Sequence, residues 1–373
     1  MNDNAIIRQS INMTDMAASM VAEMSGKIKR LFTEAQIKNI SKVIITGCGD
    51  SYIAGLAAEE AFRKLSGCGV FPMNTVDCTY NIMPRTVKNS TWDSLAIGIS
   101  VSGSAAGTVK SMQHLKEMGA ITLGVTENVN SPLAKNVDYI LNHPHAESEV
   151  CPGTKTYFSS VITLMLIAIH FGQVKGKLTA EKADEARAAI VEYAQSWKPW
   201  LEKIDAQVKE LAYMPCFKDA KHFECAGSGN DYVAAWFTRA KIYEAIGTPT
   251  TVENTEDWLH VNYFIRKPKE NPCIVYATKG STGESRTMEL LDAMVKVGRD
   301  VIVITDDDAA KFHEAIHVVQ IPEAKPTWAA PLLQFMPMTL MCGHLSESTG
   351  IPFFRAFAQP WNCDNGIRYV EEK

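Results

Sequence analysis

The chain has no C-x-x-C pair, no block of basic residues, no low-complexity segment and no apolar run long enough to span a bilayer. Its nine cysteines (Cys48, Cys68, Cys78, Cys151, Cys216, Cys225, Cys273, Cys342, Cys363) are scattered without metal-like spacing. An odd count and no secretion signal point to reduced thiols in the cytoplasm. A net charge of −5 without clustered Lys and Arg argues against a nucleic-acid surface, because such binders neutralise phosphates with basic patches. A small anionic ligand is still allowed, since it needs a local pocket and not a global field. The most apolar run, Val161 to Phe171, is interrupted by Thr163 and His170; it is too short for a membrane span and is expected to be a buried helix. No motif demands a metal or an organic cofactor.

What the chain does have is an internal repeat. Val43–Ile44–Ile45–Thr46–Gly47–Cys48–Gly49–Asp50–Ser51–Tyr52 lines up without a gap on Phe223–Glu224–Cys225–Ala226–Gly227–Ser228–Gly229–Asn230–Asp231–Tyr232, an offset of 180 residues that holds to Gly67 and Gly247. Later landmarks drift by a few residues: Gly103 matches Gly280, and Ile121–Thr126 matches Val301–Thr305. With 373 residues the chain is long enough for two domains of ordinary size, each with its own core. A duplicated α/β domain is the economical reading.

Short apolar or β-branched runs at Lys42 to Thr46, Leu95 to Ser100, Ile121 to Thr126 and Tyr139 to Leu141 alternate with helical patterns. The second half repeats them at His222 to Gly227, Pro272 to Thr278, Val301 to Thr305 and Ala315 to Ile321. Such alternation predicts two doubly wound parallel sheets, each an αβα sandwich of flavodoxin-like form. An amphipathic helix from about Met13 to Leu31 precedes them, with Met13, Met16, Met20, Met24 and Ile28 at helical spacing. A long helical stretch from about Phe158 to Leu211, solvated between Lys177 and Arg187, joins the halves. The expected organisation is an N-terminal helical extension at 1–38, a first domain at 39–197 and a second at 198–373 that includes the tail.

Two groups of residues could carry chemistry. Ser100–Val101–Ser102–Gly103–Ser104–Ala105–Ala106–Gly107–Thr108 follows a strand and opens a helix. Its hydroxyls and glycine-freed amides, at the positive end of a helix dipole, suit a phosphate. The plainer alternative is a Ser/Gly loop that caps its own helix. The glycine turn Gly47 to Ser51 is expected at the carboxyl end of a neighbouring strand, where open α/β sheets bind ligands, and this favours the phosphate. The second group is Lys241, Glu244 and His260. Lys241 and Glu244 stand three apart on one helix and share a face; taken alone, the pair reads as a surface ion pair. His260 follows Asn254–Thr255–Glu256–Asp257, a helix-cap pattern.

Taken together these residues resemble the double sugar-isomerase (SIS) domain proteins, typified by the isomerase half of glucosamine-6-phosphate synthase and by related sugar-phosphate isomerases and deglycases. The resemblance is carried by Gly47–Cys48–Gly49–Asp50–Ser51–Tyr52, by Ser100–Val101–Ser102–Gly103, by Glu149 with Thr154–Lys155, and by Lys241-x-x-Glu244 followed by His260 sixteen residues after the Glu. It implies that Gly49, Ser51, Ser100, Val101, Ser102, Ser104 and Thr108 hold a sugar phosphate. It also implies that Glu244 moves a proton between C1 and C2 of the open-chain sugar, that His260 opens the ring from a neighbouring subunit, and that Lys241 holds sugar oxygens near the base. Asp50, Cys151, Thr154 and Lys373 are further candidates.

Three positions depart from the family pattern. Ser104–Ala105 lacks one hydroxyl of the usual loop, which Thr108 would have to replace. Asp50 stands where the family often has Thr, and a carboxylate beside a phosphate is costly unless it points away. Pro360 to Lys373 does not match the synthase tail. The chain begins Met1–Asn2 without the cysteine of a glutaminase domain, so glutamine-dependent amide transfer is not expected. The second copy's loop, Ala277 to Ser285, puts Lys279 where the first has Ser102 and is read as a turn in preference to a second anion site. The expected function is an aldose–ketose isomerase or a deglycase acting on a sugar or amino-sugar 6-phosphate, in a homodimer or higher homo-oligomer with no membrane partner. The alternative is a non-catalytic sugar-phosphate sensor.

Overall fold

A computed structural model of the chain describes residues 4–83, 87, 94–143, 149–356, 358–362 and 366–370. The described residues form two five-stranded sheets, parallel throughout. In the first, β1 (Lys42–Gly47), β2 (Gly69–Asn74), β3 (Ser94–Ile99), β4 (Ile121–Thr126) and β5 (Tyr139–Asn142) lie in the order 2-1-3-4-5. In the second, β6 (Phe223–Gly227), β7 (Thr250–Asn254), β8 (Cys273–Tyr276), β9 (Val301–Thr305) and β10 (Ile316–Gln320) lie in the order 7-6-8-9-10, which is the same topology. This is the flavodoxin-like order, as expected from the repeat.

The longer helices are α1 (Ala5–Ile28), α2 (Asp50–Ala61), α3 (Ala106–Glu117), α4 (Lys155–Val174), α5 (Ala180–Ser196), α6 (Leu201–Tyr213), α7 (Asn230–Ile246), the short α8 (Thr255–His260), α9 (Glu284–Lys296) and α10 (Met336–Thr349). By compactness the chain divides into two units. The first comprises Met16–Ser148, Lys155–Val191 and Cys363–Lys373; the second comprises Met1–Asp15, Glu149–Thr154 and Glu192–Asn362.

In the first unit the central strands are buried on both faces, which explains their unbroken apolar runs. Ile44 and Ala96 pack with Val109, Met112 and Leu115 of α3, whereas Ile45 points to the opposite face and meets α2 at Gly55. Helix α4 packs on α2. Among the described residues α4 is long and apolar enough to cross a membrane, but 83% of its most apolar window is buried inside the protein. In the second unit one face of the sheet packs Ala226, Val275 and Val303 with Trp258 of α8 and Leu290, Leu291 and Met294 of α9. On the other face the hydroxyls of Thr238 on α7 and Tyr276 on β8 are hydrogen-bonded at 2.5 Å.

Some elements differ from the sequence reading. The stretch from Phe158 to Leu211 is three helices, α4 to α6, and not one. Gly176 adopts φ 75° after α4, and Pro199 opens a 3-10 turn before α6; neither fits a continuing helix. Helix α1 starts eight residues before Met13, with Ile6 and Ile7 buried. Strands β2 and β7 lie at one edge of each sheet. Their half-exposed sequences stand out less: Pro72 interrupts the apolar residues of Gly69–Asn74, and Thr250–Asn254 is mostly polar.

Candidate functional site

In the first unit, Gly47 ends β1 opposite Ile99, the last residue of β3, so the glycine turn and the serine loop emerge side by side at the carboxyl ends of adjacent strands. Gly49 precedes α2 with φ 56° and ψ −126°, a conformation in which a side chain would be strained, and a Cβ built there meets nothing within 4 Å. The turn therefore faces open space. Ser100 is buried and Ser51 is half-buried, while Ser102 is exposed and pairs its hydroxyl with that of Ser104 at 2.8 Å. Val101 fixes the loop through its carbonyl, which accepts from the Glu127 amide at 3.0 Å and from Thr126 Oγ1 at 3.1 Å.

Neither α2 nor α3 has a side-chain cap: their N-caps are Gly49 and Ala105. The serines thus do not spend their hydroxyls on capping, and the positive ends of two helix dipoles stand beside them. Thr108 is fully buried, its Oγ1 3.7 Å from Cys48 Sγ. Asp50 is the first residue of α2 and lies close enough to the buried Tyr157 for its charge, added to the larger effect of burial, to raise that phenol's pKa.

Nothing in the residue pattern signals that the tail returns to this loop. The Ala106 amide donates to the Ile367 carbonyl and the Tyr369 amide donates to the Ser104 carbonyl, both at 2.8 Å, with Ala105 and Arg368 as an antiparallel bridge between them. Gln113 Nε2 donates to the Tyr369 hydroxyl at 3.2 Å. Lys373 lies outside the described residues.

In the second unit, Lys241 and Glu244 of α7 are together as their spacing requires, with Nζ 2.5 Å from Oε2. They are not the surface pair that such spacing ordinarily gives. The Lys241 side chain is 0% exposed, whereas that of Glu244 is 39% exposed. The ammonium also donates to the Gly153 carbonyl at 3.4 Å and sits 4.7 Å from the centre of the Phe237 ring. Burying an ammonium is costly unless such partners surround it. The segment supplying Gly153 is held by the first turns of α1. Arg8 pairs with Glu149, Gln9 Nε2 donates to the Glu149 carbonyl at 3.2 Å, and Thr154 Oγ1 donates to Gln9 Oε1 at 3.0 Å. Thr154 is thereby buried, and the Cys151 thiol turns to the Pro152 carbonyl at 3.2 Å.

The cap motif before His260 is present: Asn254 Oδ1 accepts from the Asp257 amide at 2.9 Å. His260 itself is apart from the Lys241–Glu244 pair. Its Nε2 is 2.9 Å from Glu256 Oε1, Arg286 braces that carboxylate at 2.6 Å, and the His260 side chain is 69% exposed beside exposed Val261 and Phe264. Among the described residues no group of three His, Cys, Asp or Glu side chains is arranged to hold a metal ion.

The second copy repeats the first copy's backbone but not its chemistry. Gly229 precedes α7 with φ 57° and ψ −127°, matching Gly49. Asp231 stands where Ser51 stands. It is fully buried, and its two oxygens accept from the Thr278 amide at 3.0 Å and from Thr278 Oγ1 at 2.7 Å. Burial raises its carboxyl to about 6, partly offset by the two Thr278 bonds. The Lys279 amide donates to Asp306 Oδ1 at 2.7 Å and the Gly280 amide to Glu284 Oε2 at 2.9 Å.

Residues 36–170 match the model of the SIS domain family. The chain is 25% identical over 319 residues to the glutamine–fructose-6-phosphate aminotransferase (isomerizing) of Clostridium tetani, covering 85% of this chain and 51% of that protein. It thus spans about half the length of the curated relatives it matches. Among solved structures, the C-terminal domain of glucosamine-fructose-6-phosphate aminotransferase from Francisella tularensis superposes with a TM-score of 0.78 at 16% identity, covering 95% of this chain and 98% of that one. Glucosamine-6-phosphate deaminase from Thermotoga maritima gives 0.69 at 15% identity, covering 94% and 97%. At these identities the structures establish a shared fold.

Proposed function

From the match of residues 36–170 to the SIS domain model and the second sheet of the same topology that follows it, we propose that the protein is an enzyme that processes a phosphosugar. Ser51, Ser100, Ser102 and Ser104, with Gly49 and the Val101 backbone, take the phosphate. Glu244 is the base that moves a proton between C1 and C2, and Lys241 orders oxygens beside it. By their names, the aminotransferase relative acts on fructose 6-phosphate and the deaminase neighbour on glucosamine 6-phosphate, and a deglycase releasing an amine from a sugar 6-phosphate uses the same proton transfer as an isomerase.

The observation that carries this reading is the burial of Lys241 beside a carboxylate that is still open to solvent. A helix-surface pair contributes about 0.3–0.5 kcal/mol and has no reason to desolvate its ammonium. Charge pairs held partly out of water in this way recur at sites that do chemistry. His260 is exposed and is assigned the ring-opening proton transfer for a second copy of the chain, as an imidazole can provide near neutral pH. A homodimer is therefore part of the proposal.

Incubation with hexose phosphates, amino-sugar phosphates and fructosamine phosphates, followed by mass spectrometry, tests the reaction. Conversion of at least one class is expected; binding across the panel without any product would instead make the protein a sensor. Mixing inactive Glu244→Gln and His260→Ala proteins, with subunit exchange, tests the shared site. Recovery of about a quarter of wild-type turnover is expected if His260 serves the partner, because half the dimers are mixed and each restores one of two sites. No recovery places His260 with its own chain's Glu244.

A further inference from the structure

The loop after β8 has the makings of the loop after β3: a parallel strand, a glycine turn with the same dihedrals beside it, and a helix of thirteen residues leaving it. What differs is what fills it. In the first copy Gly49 faces nothing within 4 Å; in the second, a Cβ on Gly229 would lie 3.1 Å from Thr282 Cβ. Ile99 lies opposite Gly47, and Tyr276 follows Val275, which lies opposite Ala226. Counting on from those two strand ends, Thr282 falls at the place of Ala105. The buried Asp231 carboxylate takes the amide and hydroxyl of Thr278, and the next two amides are taken by Asp306 and Glu284. Backbone amides at such a turn are anion donors, and a carboxylate is an anion.

We propose that the loop after β8 is a second anion cradle that the chain occupies itself: Asp231 supplies the carboxylate, Thr282 covers the turn, and the protein takes one phosphosugar per chain. The count of one rests on the phosphate reading of the first loop. The self-occupied second loop does not. The first copy's residues at these two places are Ser51 and Ala105, so Asp231→Ser with Thr282→Ala removes the buried carboxylate and uncovers the turn on a backbone already matched to the first copy's, freeing the Thr278 amide while Asp306 and Glu284 stay on the next two. Lys279, at the place of Ser102, remains to attract the incoming charge, although in the native protein it faces Asp307 at 3.8 Å.

Titration calorimetry of the full chain with inorganic phosphate tests this. One equivalent is expected for the wild type, two for Asp231→Ser/Thr282→Ala, none for Ser51→Ala/Ser102→Ala, and one for the four changes together. If the first loop does not bind phosphate, the wild type binds none and the Asp231→Ser/Thr282→Ala protein binds one; that result removes the function reading and keeps the cradle. A folded Asp231→Ser/Thr282→Ala protein with no added equivalent overturns the proposal. Should that variant fail to fold, amide hydrogen exchange of the wild type decides. Residues 277–283 are expected to keep the same protection with and without phosphate, and phosphate-dependent protection there overturns the inference.

Discussion

The loops after β3 and β8 occupy the same place in two sheets of the same topology, yet one is furnished with hydroxyls around an open turn and the other with carboxylates around a filled one. The glycine turns beside them differ by a degree in φ and in ψ. The contrast teaches that a doubly wound sheet supplies a place for an anion, while a handful of side chains decides whether a ligand or the protein itself takes it. The second copy also presents a buried lysine against a half-exposed carboxylate on the helix that follows its turn.

The comparison can be broken most sharply at Glu244. Glu244→Gln is expected to lower turnover by about a hundredfold or more, as removal of a general base does, while inorganic phosphate binds as before. Equal loss of phosphate affinity would show that anchor and base are not separate duties. Asp231 comes next. Burial lifts its carboxyl from 3.8 to about 6, so the native state retains a proton that the unfolded chain has released. Stability from this group is fully present below about pH 4 and is lost as pH rises through about 6, an effect of about 3 kcal/mol. Asp231→Asn carries no such charge. Urea unfolding at pH 4.5 and 7.5 is expected to show the variant gaining on the wild type at the higher pH, and a pH-independent difference would contradict the buried carboxylate. Smaller again is Ser102→Ala, which should raise KM for the phosphorylated substrate about tenfold, in line with loss of a hydrogen bond to a charged group. Lys279→Ala, its counterpart in the second copy, should leave KM unchanged. A matching rise at Lys279 would make the two loops alike after all.

The sequence carried the central strands well, because burial on both faces forces runs such as Val43–Ile45 and Val301–Ile304, and the repeat made one half confirm the other. The edge strands β2 and β7 escaped it, since a strand with one neighbour and an exposed face needs no such run. The spacing of Lys241 and Glu244 was legible, but the burial of Lys241 was not, because it depends on Gly153 and Phe237, of which one is distant in sequence and neither is ionisable. Asp231 in a first helical turn looks like any acid that favours a helix dipole; only the position of Thr278 shows it turned inward. The return of residues 367–369 to the serine loop is made through backbone groups, which leave no signature in side-chain pattern.

The near-identity of the dihedrals at Gly49 and Gly229 bears on how such a chain can diversify. At these glycines the two turns follow the same main-chain path, so a change of side chain beside them calls for no different backbone there. A lineage carrying this duplication could relocate its ligand seat from one half to the other by point substitution alone, never passing through an intermediate whose scaffold must be rebuilt.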